Sequence, residues 1–367
     1  MLGGLAALAH VLRPLAGTRG PTGAALAVSV EEVLGFGRGC GRRCVTDSDA
    51  GYSRRMDTLA GGIRRVTTPL PMRPGHVHSY LLRNDDGWTL VDTGIGAPDA
   101  RERWMAELAQ LDGPVTTILV THFHPDHVGA ADDLAELTGA PVFQDELDLL
   151  QCRLVWGSED WPERLADWFH RHGVPADVTD ELIGQGTYYR PYIRYDDAAR
   201  TIRPGDDLRG WTVVAAPGHA DGQLCLLREG VLVAADHLLD PITPTVGLWP
   251  ESRPDPLGDY LAALRQTIEL APRLALPGHG EPIEDPVARA HALIAHHAER
   301  LDVTETALGP EPQSGYAVSF PLFGADLKPG ARRFAVAETL SHLERLVLEG
   351  RAGRHEDSGS VSYTAAQ

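Results

Sequence analysis

The sequence predicts an α/β fold with a mostly helical insert and a small C-terminal domain of helices closed by a hairpin. Three observations predict it. Apolar, β-branched runs alternate with amphipathic stretches in the order β-rich, helix, β-rich, helix. Residues 145–200 interrupt that order with helical and irregular chain that holds three of the seven tryptophans and four of the nine tyrosines. After about residue 286 the pattern is helical, and it ends on two polar-alternating arms around Asp357-Ser358-Gly359.

Residues 1–55 are rich in Gly, Ala and Arg, with seven arginines against four acids, a net of +3. The rest of the chain then carries -21, and the change of sign marks a boundary. We expect 1–55 to be a leader without chemistry, disordered or preceding a true start at Met56. From Met56, HSYLLRNDDGWTLVDTG reads as two strands about an Asn-Asp-Asp-Gly turn. APDARERWMAELAQL reads as an amphipathic helix with Trp104, Leu108 and Leu111 on one face, and TTILVT (116–121) as a buried strand. DHVGAADDLAELTG reads as one helix stopped by Gly139, and APVFQ as the next strand. Beyond the insert, WTVVAAPGH, QLCLLRE and GVLVAAD are strands, PLGDYLAALRQTIEL a helix, and RLALPGHG a strand running into a loop. The domain limits are therefore 56–285 for the main unit, with 145–200 as an aromatic-rich lid, and 286–367 for a winged-helix-like tail. In that tail VARAHALIAHHAERLDVTETAL is one helix, and GARRFAVAETLSHLERLVLEG, with Phe334, Leu340, Leu343 and Leu346 at helical spacing, is another.

Composition narrows the function. The chain has 367 residues and a formal charge of -18, which argues against a nonspecific nucleic-acid binder. No run approaches eighteen apolar residues, so no membrane span is expected. Cys40, Cys44, Cys152 and Cys225 form no disulfide or zinc-ribbon pattern, which suits a reducing, cytoplasmic setting. Lys328 is the sole lysine among 33 basic residues, a bias that reads as a GC-rich genome.

The chemistry concentrates in THFHPDHVGA (121–130). Imidazole and carboxylate are ligands that zinc prefers. His122 and His124, two apart just past a strand, point the same way if the chain stays extended. Asp126 and His127 open the next helix and suit a second metal close by. A catalytic site needs about three protein ligands per metal and an open position. His219 in APGHADG, Asp236 in VAADH and His279 in LPGHGE each follow an apolar run, so one sheet edge can collect all seven groups. His76, His78 and His237 read as strand-surface or uncertain residues and stay outside the set.

His-x-His-x-Asp-His followed by isolated His, Asp and His, and preceded by Val-Asp-Thr-Gly, resembles the metallo-β-lactamase superfamily over about residues 63–285. The resemblance implies an αββα sandwich with metals at one edge of two sheets. It implies His122, His124 and His219 on one Zn²⁺, Asp126, His127 and His279 on the other, and Asp236 bridging them. Iron or manganese would suit the same donors. Asp92 in LVDTG would support the site from behind. A hydroxide held between the metals would attack the substrate, with Asp126 orienting it or taking a proton. Histidine rather than cysteine in the second site resembles the hydroxyacylglutathione-hydrolase side, and the C-terminal segment resembles the β-lactamase-like-protein branch.

The expected substrate is a small acyl compound, a thioester, ester or lactone, held by aromatic residues of the insert such as Tyr189 and Tyr192. Arg190 and Arg194 could hold a carboxylate or phosphate of a carrier group. The alternative is a metal-dependent endoribonuclease or phosphodiesterase. Residues 287–367 carry 8 basic and 10 acidic groups without a basic stripe, so the tail reads as a packing or homodimer-forming element.

Overall fold

The computed structural model describes residues 56–71 and 73–366. The expected leader, with Cys40 and Cys44, lies outside the described residues. A seven-stranded sheet runs in the order β1 (Met56–Thr58), β2 (Arg64–Pro69), β3 (His76–Asn84), β4 (Gly87–Val91), β5 (Val115–Leu119), β6 (Val142–Gln144) and β7 (Arg200–Thr201). β1 to β4 pair antiparallel, and β4 to β7 pair parallel. The crossovers carry α1 (Ala100–Leu108), α2 (Pro125–Val128) and α3 (Ala131–Thr138). The insert contributes α4 (Glu146–Gln151), a π-helical turn over Cys152–Gly157, α5 (Trp161–Arg171) and α6 (Ala176–Thr187).

A second sheet contains β8 (Asp207–Leu208), β9 (Trp211–Ala215), β10 (Leu224–Arg228), β11 (Val231–Ala235) and β12 (Leu274–Pro277), in the spatial order β12-β11-β10-β9-β8. Helix α7 (Pro256–Leu270) connects β11 to β12, which pair parallel. The two sheets face each other across a core of Tyr80, Val91, Leu119, Trp211, Leu226 and Leu276. Trp104, Leu134 and Val128 cover the outer face of the first sheet. Leu257, Leu264 and residues of the later helices cover the second. The result is the αββα layering that the resemblance implied.

The chain closes with α8 (Pro286–Thr306), β13 (Gln313–Ser314), α9 (Gly315–Phe323), α10 (Pro329–Leu348), β14 (Ala352–Asp357) and β15 (Ser360–Ala365). The β14–β15 turn places both Ser358 and Gly359 at positive φ, the geometry that matches strand twist in a two-residue hairpin. Leu340, Leu343 and Leu346 are fully buried in the core that also holds α7 and α8, so this segment packs on the second sheet's helical layer. No described helix is long and apolar enough to cross a membrane.

Two local expectations change. The single helix expected after the histidine cluster is two helices, α2 and α3, broken at Gly129-Ala130. The Ala130 amide donates to Thr93 Oγ1 at 3.2 Å instead of to a helical carbonyl, and Gly129 lies against the backbone of Gly96. Helix α9 has no counterpart in the sequence reading; its Pro321 lies inside the helix, where the sequence signals a break.

Glu338 of α10 is buried, and burial pushes its carboxyl up to about 7 despite Arg300 nearby. Its contribution to stability is fully present below the unfolded value near 4.5 and is lost as pH rises through about 7. Urea unfolding of Glu338→Gln against wild type should therefore show a stability difference growing between pH 5 and pH 8 in favour of the variant. Its size should be on the order of 3 kcal/mol.

Candidate metal centre

The seven predicted groups gather past the C-terminal ends of β5, β9, β11 and β12, with Asp126 and His127 on α2, as the placement of His122, His219, Asp236 and His279 after apolar runs suggested. Ligand atoms of His122, His124 and His219 lie within 4.8 Å of one another. So do those of Asp126, His127 and His279, and those of His122, His127 and Asp236. The last set joins the first two. Asp236 Oδ1 is 3.4 Å from His127 Nε2, while Oδ2 is 3.5 Å from His219 Nε2 and 3.3 Å from His279 Nε2. His124 Nδ1 faces His219 Nε2 at 2.8 Å, and Asp126 Oδ2 faces His279 Nε2 at 3.4 Å.

The partners of the outward ring nitrogens assign the tautomers. His127 Nδ1 donates to Asp92 Oδ2 at 2.8 Å, His219 Nδ1 to the Thr245 carbonyl at 2.7 Å, and His279 Nδ1 to the His76 carbonyl at 2.6 Å. Thr121 Oγ1 donates to Asp92 Oδ2, so it accepts from His122 Nδ1 at 3.0 Å. In all four rings Nδ1 is held outside and Nε2 is turned into the cluster.

Asp92 is thus a hub. Its carboxylate also accepts from the Thr121 amide at 2.8 Å, tying β4 to the loop that carries His122. It does so from the left-handed region, at φ 61°, a conformation that persists only where surroundings fix it. Asp92→Asn replaces an acceptor by a donor against His127. Metal affinity, read by competition with a chelating dye, should weaken about 10–100-fold.

The cluster fits a cation. His122 Nε2, His127 Nε2 and Asp236 Oδ1 are buried and lack a hydrogen-bond partner. Leaving such groups unsatisfied costs about 1–3 kcal/mol each, and a shared divalent ion satisfies all of them at once. Charge points the same way. Burial alone would lower His279, but the Asp236 and Asp126 carboxylates outweigh it and push the imidazole up to about 10. The same balance, with Asp236, Asp92 and Asp126, raises His127 well above the usual histidine value. In the other corner burial, with neighbouring imidazoles, holds His122 and His124 far below it. Protons on His127 and His279 stand where a second positive charge would be, and a metal must displace them.

The backbone is shaped to this packing. A Cβ on Gly278 would lie 2.3 Å from Asp236 Oδ1 and 2.8 Å from His127 Cε1, so only glycine fits between the two loops.

Several supporting groups escaped the sequence reading. His76, His78 and Tyr80 alternate along β3 and together grip the loop that carries His279. Tyr80 donates to the Pro277 carbonyl at 2.7 Å, and His78 Nε2 to the Gly280 carbonyl at 2.8 Å. His76 Nε2 accepts from the Gly280 amide at 3.1 Å. The period-two spacing of three polar rings on a buried strand was the available signal. Asp148 of α4 accepts from the Phe123 amide at 2.7 Å, between His122 and His124. His237, although next to Asp236, donates to Thr267 Oγ1 of α7 at 2.8 Å, away from the cluster.

Of the insert residues, Tyr189 and Tyr192 pack on Leu70, Val77 and Ile95. Burial, with Tyr188 and the Asp126 carboxylate nearby, pushes the Tyr189 phenol up to about 12, which places it on the Asp126 side of the centre. Arg190 donates to the carbonyls of Val155, Trp156 and Ser158, so its guanidinium staples the insert to itself. Arg194 pairs with Asp132, Asp133 and Glu136 of α3 on the surface. Both guanidiniums, expected from the sequence to hold an anionic carrier, are thus engaged by groups of the chain itself.

The sequence profile of the metallo-β-lactamase superfamily matches residues 72–279, and that of the metallo-β-lactamase-like C-terminal domain matches residues 301–366. The probable metallo-hydrolase YqjP of Bacillus subtilis is 28% identical over 323 residues, covering 81% of this chain and 96% of that protein. A β-lactamase domain protein from Burkholderia ambifaria superposes with a TM-score of 0.76 at 31% identity, over 85% of this chain and 94% of its own. A metallo-β-lactamase family protein from Thermus thermophilus gives 0.71 at 35% identity, over 83% of this chain and 98% of its own. The chain belongs to the metallo-β-lactamase superfamily and is a metal-dependent hydrolase of that family, with its mixed α/β fold and its C-terminal domain.

Proposed function

We propose that the chain is a dinuclear hydrolase of a thioester, ester or lactone. The observation that carries this reading is the Asp236 carboxylate, which faces His127 with one oxygen and both His219 and His279 with the other. His122, His124 and His219 would hold one metal, Asp126, His127 and His279 the other, and Asp236 would be shared. Zinc suits this all-nitrogen-and-oxygen donor set, as do iron and manganese. A divalent pair, when bound there, would lower the pKa of water from about 15.7 to ~7 and would polarise a carbonyl oxygen.

The chain's own residues divide the remaining work. Asp126 is the more exposed of the two inner carboxylates, and His127 and His279 outweigh the effect of burial and hold it anionic. It is therefore available to orient the attacking water and accept its proton. Asp92, Thr245 and the His76 carbonyl keep three imidazoles in one tautomer, so the lone pairs need no reorganisation during the reaction. Phe123, Trp161 and Trp249 form an apolar wall beside His219, which favours an acyl substrate over a phosphodiester.

We place the chain in the β-lactamase-like-protein branch, which the similarity to a β-lactamase-like protein 2 homolog of Drosophila melanogaster supports, at 25% identity over 63% of this chain. We read α8–α10 with the β14–β15 hairpin as a winged-helix-like element for packing or homodimer formation.

The test is a substrate screen on protein loaded separately with zinc, iron and manganese, against thioesters, esters, lactones, a β-lactam and a phosphodiester. Turnover of one of the first three classes is expected, and Asp126→Ala should reduce it by about 10²–10⁴-fold. Phosphodiester cleavage without turnover of any acyl compound would overturn the proposal.

A further inference from the structure

We propose that the cavity beside the three-histidine corner is a subsite for a short, uncharged aliphatic chain of the substrate, with its length limited by Trp249, Trp161 and Leu165. The inference rests on the hydrolytic reading above and names the part of the acyl substrate that the chain selects. The cavity has a volume of about 40 Å³, and Phe123, Val155, Trp161, Leu165 and Trp249 line it together with His219. It joins the metal centre at two points, through His219 itself and through Phe123, the residue between His122 and His124. A group bound by its carbonyl end at the centre would therefore extend its apolar end into this space.

The walls are braced. Trp249 stacks on Trp168 of α5, with ring centroids 6.0 Å apart and planes at 28°. The Arg333 guanidinium of α10 lies 5.1 Å from the Trp249 ring and 5.5 Å from the Trp161 ring. A cation against indole faces holds them in place. The C-terminal segment thereby reaches the subsite and helps set its width. Two carboxylates also line the cavity, and both are partnered within the chain: Glu251 pairs with Arg164 at 3.2 Å, and Asp221 accepts from Gln151 Nε2 at 3.0 Å and from the Arg253 amide at 2.9 Å, so the described residues that line it offer no free cation to a charged chain end.

The volume sets the length. A water-sized site takes roughly 10–15 Å³, so this cavity holds roughly three heavy atoms. Each methylene buried should tighten binding about four-fold until the cavity is full, and further ones should add nothing.

The test needs no turnover. The full chain, loaded with zinc, is titrated with straight-chain carboxylates from acetate to octanoate, and binding is read from the fluorescence of the wall tryptophans. Wild type should show the four-fold increments up to about butyrate or pentanoate and then a break. Trp249→Leu, which widens the cavity, should move the break out by two or more carbons. Val155→Phe, which fills it, should flatten the series while metal content is retained. Smooth tightening through octanoate in wild type, or no dependence on chain length, would overturn the subsite without recourse to any variant. A break that stays in place in Trp249→Leu with metal content retained would do the same. A break that moves as predicted, in a protein that hydrolyses no acyl compound, would sink the hydrolytic reading and leave the subsite standing. Hydrolysis without a break would do the reverse.

Discussion

Asp236→Asn should leave a folded protein that no longer holds a metal pair. The substitution keeps the shape of the side chain and removes the one charge that faces His127, His219 and His279 together. Two consequences follow that a merely local packing role would not produce. First, metal content at saturation should fall by at least one ion per chain. Hydrolysis should fall by more than about 100-fold, the upper end of what loss of an outer partner costs. Second, in metal-free protein the His279 imidazole should titrate well below its wild-type value of about 10, because burial lowers it and Asp236 is the largest influence that raises it. NMR titration of the ring protons separates the two. Unchanged titration of His279 would mean that Asp236 does not govern the charge of this corner.

Gly278→Ala is the second large effect. The added methyl would meet Asp236 Oδ1 at 2.3 Å and His127 Cε1 at 2.8 Å, both on buried side chains. These atoms have nowhere to retreat, so the carboxylate must swing out of the centre. Metal affinity should fall about 10–100-fold, as for displacement of a supporting group, with a stability loss of about 1–3 kcal/mol from overpacking. Gly139→Ala is the control. It also adds a methyl to a glycine, but into open space at φ 71°. That variant should lose about 1–2 kcal/mol of stability from backbone strain and none of its metal affinity. Equal metal affinity in both variants would show that the close packing around Gly278 is not required.

The seven groups that the structure brings together were legible because the sequence signals for them are local. His122, His124, Asp126 and His127 fall within six positions, and His219, Asp236 and His279 each follow an apolar run, so strand ends could be read directly. The sandwich was legible for the same reason, since β3 to β5 and β9 to β12 are long enough to show their period. What the sequence hid is what depends on distant pairing. The grip of His76 on the His279 loop joins residues 204 positions apart, so the ring spacing along β3 could mark the strand but not the loop that it holds. The break between α2 and α3 depends on a hydroxyl of Thr93, 37 positions upstream. β7 and β8 have two residues each, too few to display alternation. The aromatic insert was correctly seen as unusual. Its Trp156 donates to the Phe123 carbonyl, between His122 and His124, at 2.8 Å, and Trp161 lines the cavity beside His219, while Tyr189 and Tyr192 pack against Leu70, Val77 and Ile95.

On the function proposed above, two metals would lie side by side with Asp236 between them. X-ray absorption spectroscopy of the zinc-loaded full chain measures this directly. The account predicts two zinc ions per chain in nitrogen-and-oxygen coordination, without sulfur, and a metal–metal vector of about 3.5–4 Å. A single zinc per chain at saturation, with no such vector, would contradict it.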